Sequence, residues 1–315
     1  MAKSASKQTQ INTSNFIPSI LILAFLLVGF IPNLEAVDKI APQWLYLSVL
    51  NLICGFFLFF NRKIFADRIS IFLSSKMAIC YIAFVLWAAF SYFYAINPTE
   101  VLVNIIRHFN TLFMFIHIGI LLYNIKDKNR LVSIAIMGIL SIEVYSVLNQ
   151  ALEMYNAGGI KPGQLKGVTA NRNITAFSIA IKIPYVLYLM LRGQKIWLII
   201  AYALLVFLSL FSLTLIQSRA SFVAAALIGV LLFFWTSLRY YKTRNLKFFL
   251  QNFYYVIPLL LAIIFNQIST ADKGADAISR AGTISISQAD GSISKRLRYY
   301  DDVLTHFMSN PIIGV

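Results

Sequence analysis

Charge is scarce in this chain. Only 12% of its 315 residues are Asp, Glu, Lys or Arg, about half the share of an ordinary soluble domain. Acid is scarcest: 12 acidic residues stand against 27 Lys and Arg, for a net charge of +15. Two Cys and three His exclude a disulfide framework and show no metal spacing. A phosphate-binding Gly loop, a nucleophile elbow, a paired-His motif and a DxD-type acidic cluster are all missing. The enzyme classes marked by those motifs are thereby excluded, and neither a metal nor another cofactor is called for. Asp301-Asp302 is an adjacent pair. On a helix its side chains point about 100° apart, so it reads as a solvated face.

Apolar residues are abundant, at 59%, with a mean hydropathy of +0.74. They fall in blocks of roughly 16 to 22 residues, the length a helix needs to cross ~30 Å of hydrocarbon. Lipid offers no hydrogen bonds to a bare backbone, so each block must be helical. The expected fold is all-α, a polytopic transmembrane bundle of about nine helices. The spans are 16–32, 43–60, 77–96, 101–123, 131–152, 174–191, 196–216, 220–238 and 249–267. Residues 1–15 form an N-terminal tail, 16–267 the transmembrane domain, and 268–315 the start of a large external loop. The first block ends in Ile31-Pro32-Asn33-Leu34-Glu35, without a small-x-small cleavage site, so it reads as a span rather than a signal peptide. Cys54 and Cys80 lie inside apolar blocks and read as packing residues.

The basic residues lie mostly between the blocks. Alternation puts 15 Lys and Arg on the side of the N-terminus and 10 on the other. The positive-inside rule makes the N-terminal side cytoplasmic and the C-terminal segment external. Orientation and anionic membrane lipid account for most of the charge, and no nucleic-acid partner is implied. Nine of the ten opposite-side cations cluster in the 153–173 loop, the 217–219 turn and the tail after 268. Cations that break the rule need another reason to be there.

Arg107, Glu143 and Lys182 lie inside apolar blocks. Ionisable groups at membrane depth face a bundle interior or a wet cavity. Two readings stand: an Arg107–Glu143 pair with a snorkelling Lys182, or a transport or lipid-flipping path that uses all three. Pro184, two residues after Lys182, weakens the ladder of its helix. Residues 268–291 are rich in Ser, Ala, Gly and Asp and read as a loop. Helical periodicity returns at 293–308, with Ile293, Leu297, Tyr300, Leu304 and Phe307 on one stripe. This predicts an amphipathic helix on the outer membrane surface, with Arg296 flanking the stripe and Asn310-Pro311 stopping it.

Three segments could carry chemistry. Gly167-Val-Thr-Ala-Asn171-Arg172-Asn173 precedes a span; Asn173 suits the cap of that helix, and a helix N-terminus with amides and a guanidinium suits an anion or sugar hydroxyls. Gln217-Ser218-Arg219-Ala220-Ser221 puts a guanidinium in a tight turn between two spans, where it suits a phosphate or a headgroup. Lys295-Arg296-Leu297-Arg298 lies on the surface helix. Together they point to a lipid-linked phosphate or diphosphate. Guanidinium groups that neutralise a departing diphosphate would catalyse transfer of whatever is attached.

These segments resemble the O-antigen ligase and O-antigen polymerase family of bacterial envelope glycosyltransferases. Gly167 to Asn173 followed by Ile174-Thr175-Ala176 is similar to its G-x-x-x-N-x-N run, and Ser218-Arg219-Ala220-Ser221 to its S-R-[GA] turn. Ser294-Lys295-Arg296-Leu297 with Asn310-Pro311-Ile312-Ile313-Gly314-Val315 is similar to its R-L…P-x-x-G-V-G stretch. The resemblance implies a multi-pass protein of the bacterial inner membrane. It implies transfer of a glycan from undecaprenyl diphosphate to lipid A core or to growing polysaccharide at the periplasmic face, without a metal. Arg219 and Arg296 would be the catalytic grip on the diphosphate, with Asn171, Arg172, Asn173, Ser218 and Arg298 binding substrate. The family's His, within an H-N pair further along the loop, has no counterpart; His306 precedes the P-x-x-G-V motif, and His108 and His117 sit among apolar neighbours. The chain therefore reads as the N-terminal piece of a longer protein and, taken alone, as an inactive fragment.

Overall fold

The computed structural model describes residues 15–32, 36–38, 40–123, 125–161, 164–169, 171–193, 195–270 and 291–311. Among them the chain is all-α: twelve α-helices, three 3-10 turns and no strand. We number the helices α1 (Phe16–Leu26), α2 (Ala41–Phe60), α3 (Arg62–Leu73), α4 (Lys76–Phe90), α5 (Pro98–Tyr123) and α6 (Lys128–Asn156). They continue as α7 (Arg172–Arg192), α8 (Ile196–Ile216), α9 (Arg219–Thr243), α10 (Leu246–Leu250), α11 (Phe253–Thr270) and α12 (Gly291–Ser309). Eight described helices are long and apolar enough to cross a membrane: α2, α4 with its 3-10 extension, α5 to α9, and α10 continuing into α11. Large apolar side chains such as Val223, Leu227, Val230 and Phe234 face outward along α9, where lipid replaces a protein partner. The chain is a multi-pass membrane protein.

The first apolar block is shorter as a helix than its sequence suggests. α1 has 11 residues and tightens into a 3-10 turn at Val28–Phe30. Ile31 is extended at φ −66°, ψ 122°, as the clash with the ring of Pro32 requires.

The described chain divides into two compact units, Met1–Lys128 with Ile286–Val315, and Asn129–Ser285. In the first, α5 is the central helix, packed by α1, α2, α3 and α4. The basic segment after Asn61, between the expected spans 43–60 and 77–96, is the helix α3. Its Phe65 is buried, and Phe72 lies over Gly119 of α5, so close that a Cβ there would enter the ring. Such contacts turn a basic connector into an amphipathic helix. His117 is buried as expected and shares a polar cluster in which Asn51 Oδ1 lies 3.1 Å from its Nδ1. Cys54 is buried, but Cys80 is exposed rather than packed. The helix expected at 293–308 is present as α12, with Leu297, Tyr300, Leu304 and Phe307 exposed; the Ile293 side chain lies outside the described residues.

The second unit centres on α8, flanked by α11 and α7. Its core joins Val144 and Val147 of α6, Ile179 and Ile183 of α7, and Leu210 and Leu213 of α8. The membrane-depth charges pair differently from the expected Arg107–Glu143 contact. Arg107 meets Asp38 at 3.1 Å. Lys182 Nζ donates to both oxygens of Glu143, at 2.8 and 2.9 Å, rather than snorkelling. Lys182 lies ten residues into the 21-residue α7, about 15 Å from either end. That is too deep for its stem to reach a headgroup, so it needs a carboxylate at its own level.

Candidate functional site

The run before α7 is held by its neighbours before it becomes a helix. Gln150 of α6 accepts hydrogen bonds from the backbone N–H of Lys166 and Gly167, at 3.2 and 3.0 Å, and its own amide donates to the Gly167 carbonyl. Thr175 donates to the Lys166 carbonyl and contacts the Thr169 hydroxyl at 2.6 Å. Gly167 has φ +56°, and a Cβ there would lie 2.8 Å from Thr175 Cγ2 and 3.1 Å from Val147 Cγ2. Only glycine fits both the left-handed backbone and that space. Gly167→Ala is expected to lower stability by about 1–2 kcal/mol, read as a lower Tm in detergent. An unshifted Tm would mean that the loop is not clamped.

Asn171, not Asn173, caps α7. Its Oδ1 accepts from the N–H groups of Asn173 and Ile174, at 2.9 and 3.5 Å. The helix begins two residues earlier than its apolar block, which makes Asn173 part of the first turn. Its side chain serves another purpose: Asn173 Oδ1 accepts the Ser218 hydroxyl at 3.1 Å. Ser218 is the N-cap residue of α9, yet its side chain makes no cap bond to its own helix. Gln217 just before it takes a left-handed conformation, φ +55° and ψ 39°, which turns α8 sharply into α9. Ser218 itself is buried.

One hydrogen bond thus brings two of the three sequence segments together. Two helices begin side by side, and each has an arginine as its first residue, Arg172 for α7 and Arg219 for α9. Neither first turn contains an acidic residue. A cation at a helix N-terminus opposes the macrodipole, at a cost of typically 0.3–1 kcal/mol. Two such cations beside two N-termini form an electropositive end that an anion would relieve. The Asn171 and Asn173 oxygens are engaged in bonds, so their NH2 groups are the donors these two side chains offer.

The third segment lies on α12 of the first unit. Arg298 is exposed there. Arg296 belongs to the same helix, but its side chain lies outside the described residues, as do residues 271–290 and Ile312 to Val315. Sequence reasoning missed Gln150 and named Thr175 only as part of a motif, without its contact to the Lys166 carbonyl. The available signal for Gln150 was an Asn-Gln pair near the end of an apolar block.

Residues 204–315 match the family model described as O-antigen ligase. The match contains the Ser218–Ser221 turn and the Lys295–Arg298 run, and begins after the Gly167–Asn173 run. No curated protein and no solved structure matches the chain.

Proposed function

From a chain whose residues 204–315 match the O-antigen ligase family model, we propose a membrane glycosyltransferase that takes its glycan from undecaprenyl diphosphate at the periplasmic face. The N-terminus is cytoplasmic and the membrane is the bacterial inner membrane. The acceptor is lipid A core, or, in the polymerase variant of the same chemistry, another polysaccharide repeat. The observation that carries this reading is the Ser218–Asn173 bond, which sets Arg172 and Arg219 at two adjoining helix N-termini. A diphosphate has the charge such an end lacks, and Arg offers a fork for two of its oxygens.

In this reading Arg219 grips the diphosphate, and Arg296, from its motif alone, is a second arginine for lipid-linked phosphate. As the sugar–oxygen bond breaks, negative charge grows on the leaving phosphate, and fixed guanidinium groups stabilise it without reorganising. Arg172, Ser218 and the NH2 groups of Asn171 and Asn173 hold the glycan and the phosphate oxygens, and Arg298 keeps the substrate-binding role that its motif implies. The test is binding by the full chain in nanodiscs. Undecaprenyl-diphosphate glycan is expected to bind at least about tenfold more tightly than neutral polyprenol of equal length, a difference of roughly 1.4 kcal/mol. Equal binding of the two would remove the reading. Adding lipid A core in one arm and repeat units in another then distinguishes ligase from polymerase by which acceptor the loaded chain binds.

A further inference from the structure

At the other ends of α7 and α9 the same two helices flank an open apolar groove of about 500 Å³. That volume is within the range of small-molecule sites. Leu187 and Leu191 of α7 and Leu231 and Leu232 of α9 form its walls, and Arg192 and Arg239 also line it. Each arginine stands four residues after an aromatic ring that faces the same groove. Arg192 Nη1 donates to the Tyr188 hydroxyl at 2.7 Å. The Arg239 guanidinium lies 4.8 Å from the Trp235 ring centroid and 4.7 Å from that of Phe248. The pattern of an aromatic at i and an arginine at i+4 is therefore repeated on two helices that run the same way.

Depth gives the pattern its meaning. Twenty residues separate Arg172 from Arg192 along α7, about 30 Å of helix and about the thickness of the hydrocarbon layer. The groove mouth thus lies one membrane thickness from the Asn171–Arg219 end, at the opposite interface. Tyr, Trp and Arg collect at the level of headgroups, and the leucine walls extend inward from there. We infer that this groove is a specific site for an anionic glycerophospholipid, whose phosphate is held by Arg192 and Arg239 and whose acyl chain lies against the leucine walls. The inference does not depend on the transferase reading, because it concerns the other end of the helices and a different lipid.

The experiment uses the full chain in nanodiscs containing phosphatidylglycerol or phosphatidylcholine. A phospholipid with a photoreactive acyl chain marks the site, and native mass spectrometry counts retained lipid. Phosphatidylglycerol is expected to be retained about tenfold more than phosphatidylcholine and to label peptides containing Leu187 or Leu231. The double variant Arg192→Gln/Arg239→Gln should lose that preference, and Arg192→Lys/Arg239→Lys should keep most of it. Leu231→Trp, which fills the groove without changing charge, should abolish the labelling and report on the site even if the double variant folds poorly. Inorganic phosphate at millimolar concentration should not compete, because it lacks the chain. Equal retention of the two phospholipids, labelling unchanged by Leu231→Trp, displacement by inorganic phosphate, or displacement by undecaprenyl phosphate in preference to phosphatidylglycerol would each overturn the assignment.

Discussion

Truncating Glu143 to alanine is expected to destabilise the second unit by about 3–5 kcal/mol, the largest loss we anticipate from a single substitution. The carboxylate is buried, its side chain 7% exposed against 15% for Lys182. Removing it leaves an ammonium at membrane depth, where an isolated charge is very costly. The Ser178 hydroxyl, which donates to Glu143 Oε1 at 2.8 Å, loses its acceptor as well. Replacing both partners at once, Glu143→Leu with Lys182→Met, should cost far less than either single change. Each charge in a buried pair is expensive chiefly when its partner is missing. Thermal unfolding in detergent of the two single variants and the double variant measures the coupling. Additive losses would show that the two groups do not compensate each other. The transport reading predicts lipid movement in liposomes that is lost on neutralising Arg107, Glu143 and Lys182, so movement unchanged in a stable double variant would leave the pair a structural role.

The second large effect is expected at Arg219. Arg219→Ala should weaken binding of undecaprenyl-diphosphate glycan by about 1–3 kcal/mol, the worth of a hydrogen bond to a charged group, or roughly five- to a hundredfold or more in Kd. Arg219 is the first residue of α9, and its Nε is shielded from solvent. Ser218, the residue before it, is tied to Asn173. Arg219→Lys keeps the charge but loses the planar fork, so it should recover only part of the affinity. Arg296→Ala should weaken the same binding by a similar amount. Unchanged binding in both alanine variants would remove the diphosphate site while leaving the fold intact. Asn173→Ala is a useful companion, because it severs the link to Ser218 and leaves the Asn171 cap in place.

How far the site was legible depended on whether a feature was local. The Gly167–Asn173 run and the Ser218–Ser221 turn could be picked out as motifs, because each owes its form to neighbours in the chain. Their meeting could not, since 45 residues separate Ser218 from Asn173. Even the cap was misassigned by two positions. Apolar periodicity begins at Ile174, but a helix can start in polar residues once Asn171 satisfies its first N–H groups. Gln150 escaped notice because an amide near the end of an apolar block looks the same whether it meets solvent or clamps a distant loop.

By itself the sequence determined that this is an all-helical membrane protein, and roughly where its helices run. Lipid cannot hydrogen-bond a backbone, and that constraint acts on each apolar block separately. Only the tertiary structure decided the partners: Glu143 with Lys182 rather than Arg107, Phe72 on Gly119 making a helix of a basic connector, and Asn173 on Ser218 joining two helix starts. Each of these is a contact between residues far apart in the chain. Its energy depends on which groups arrive at the same depth and face of the bundle, and periodicity along one helix carries no information about that.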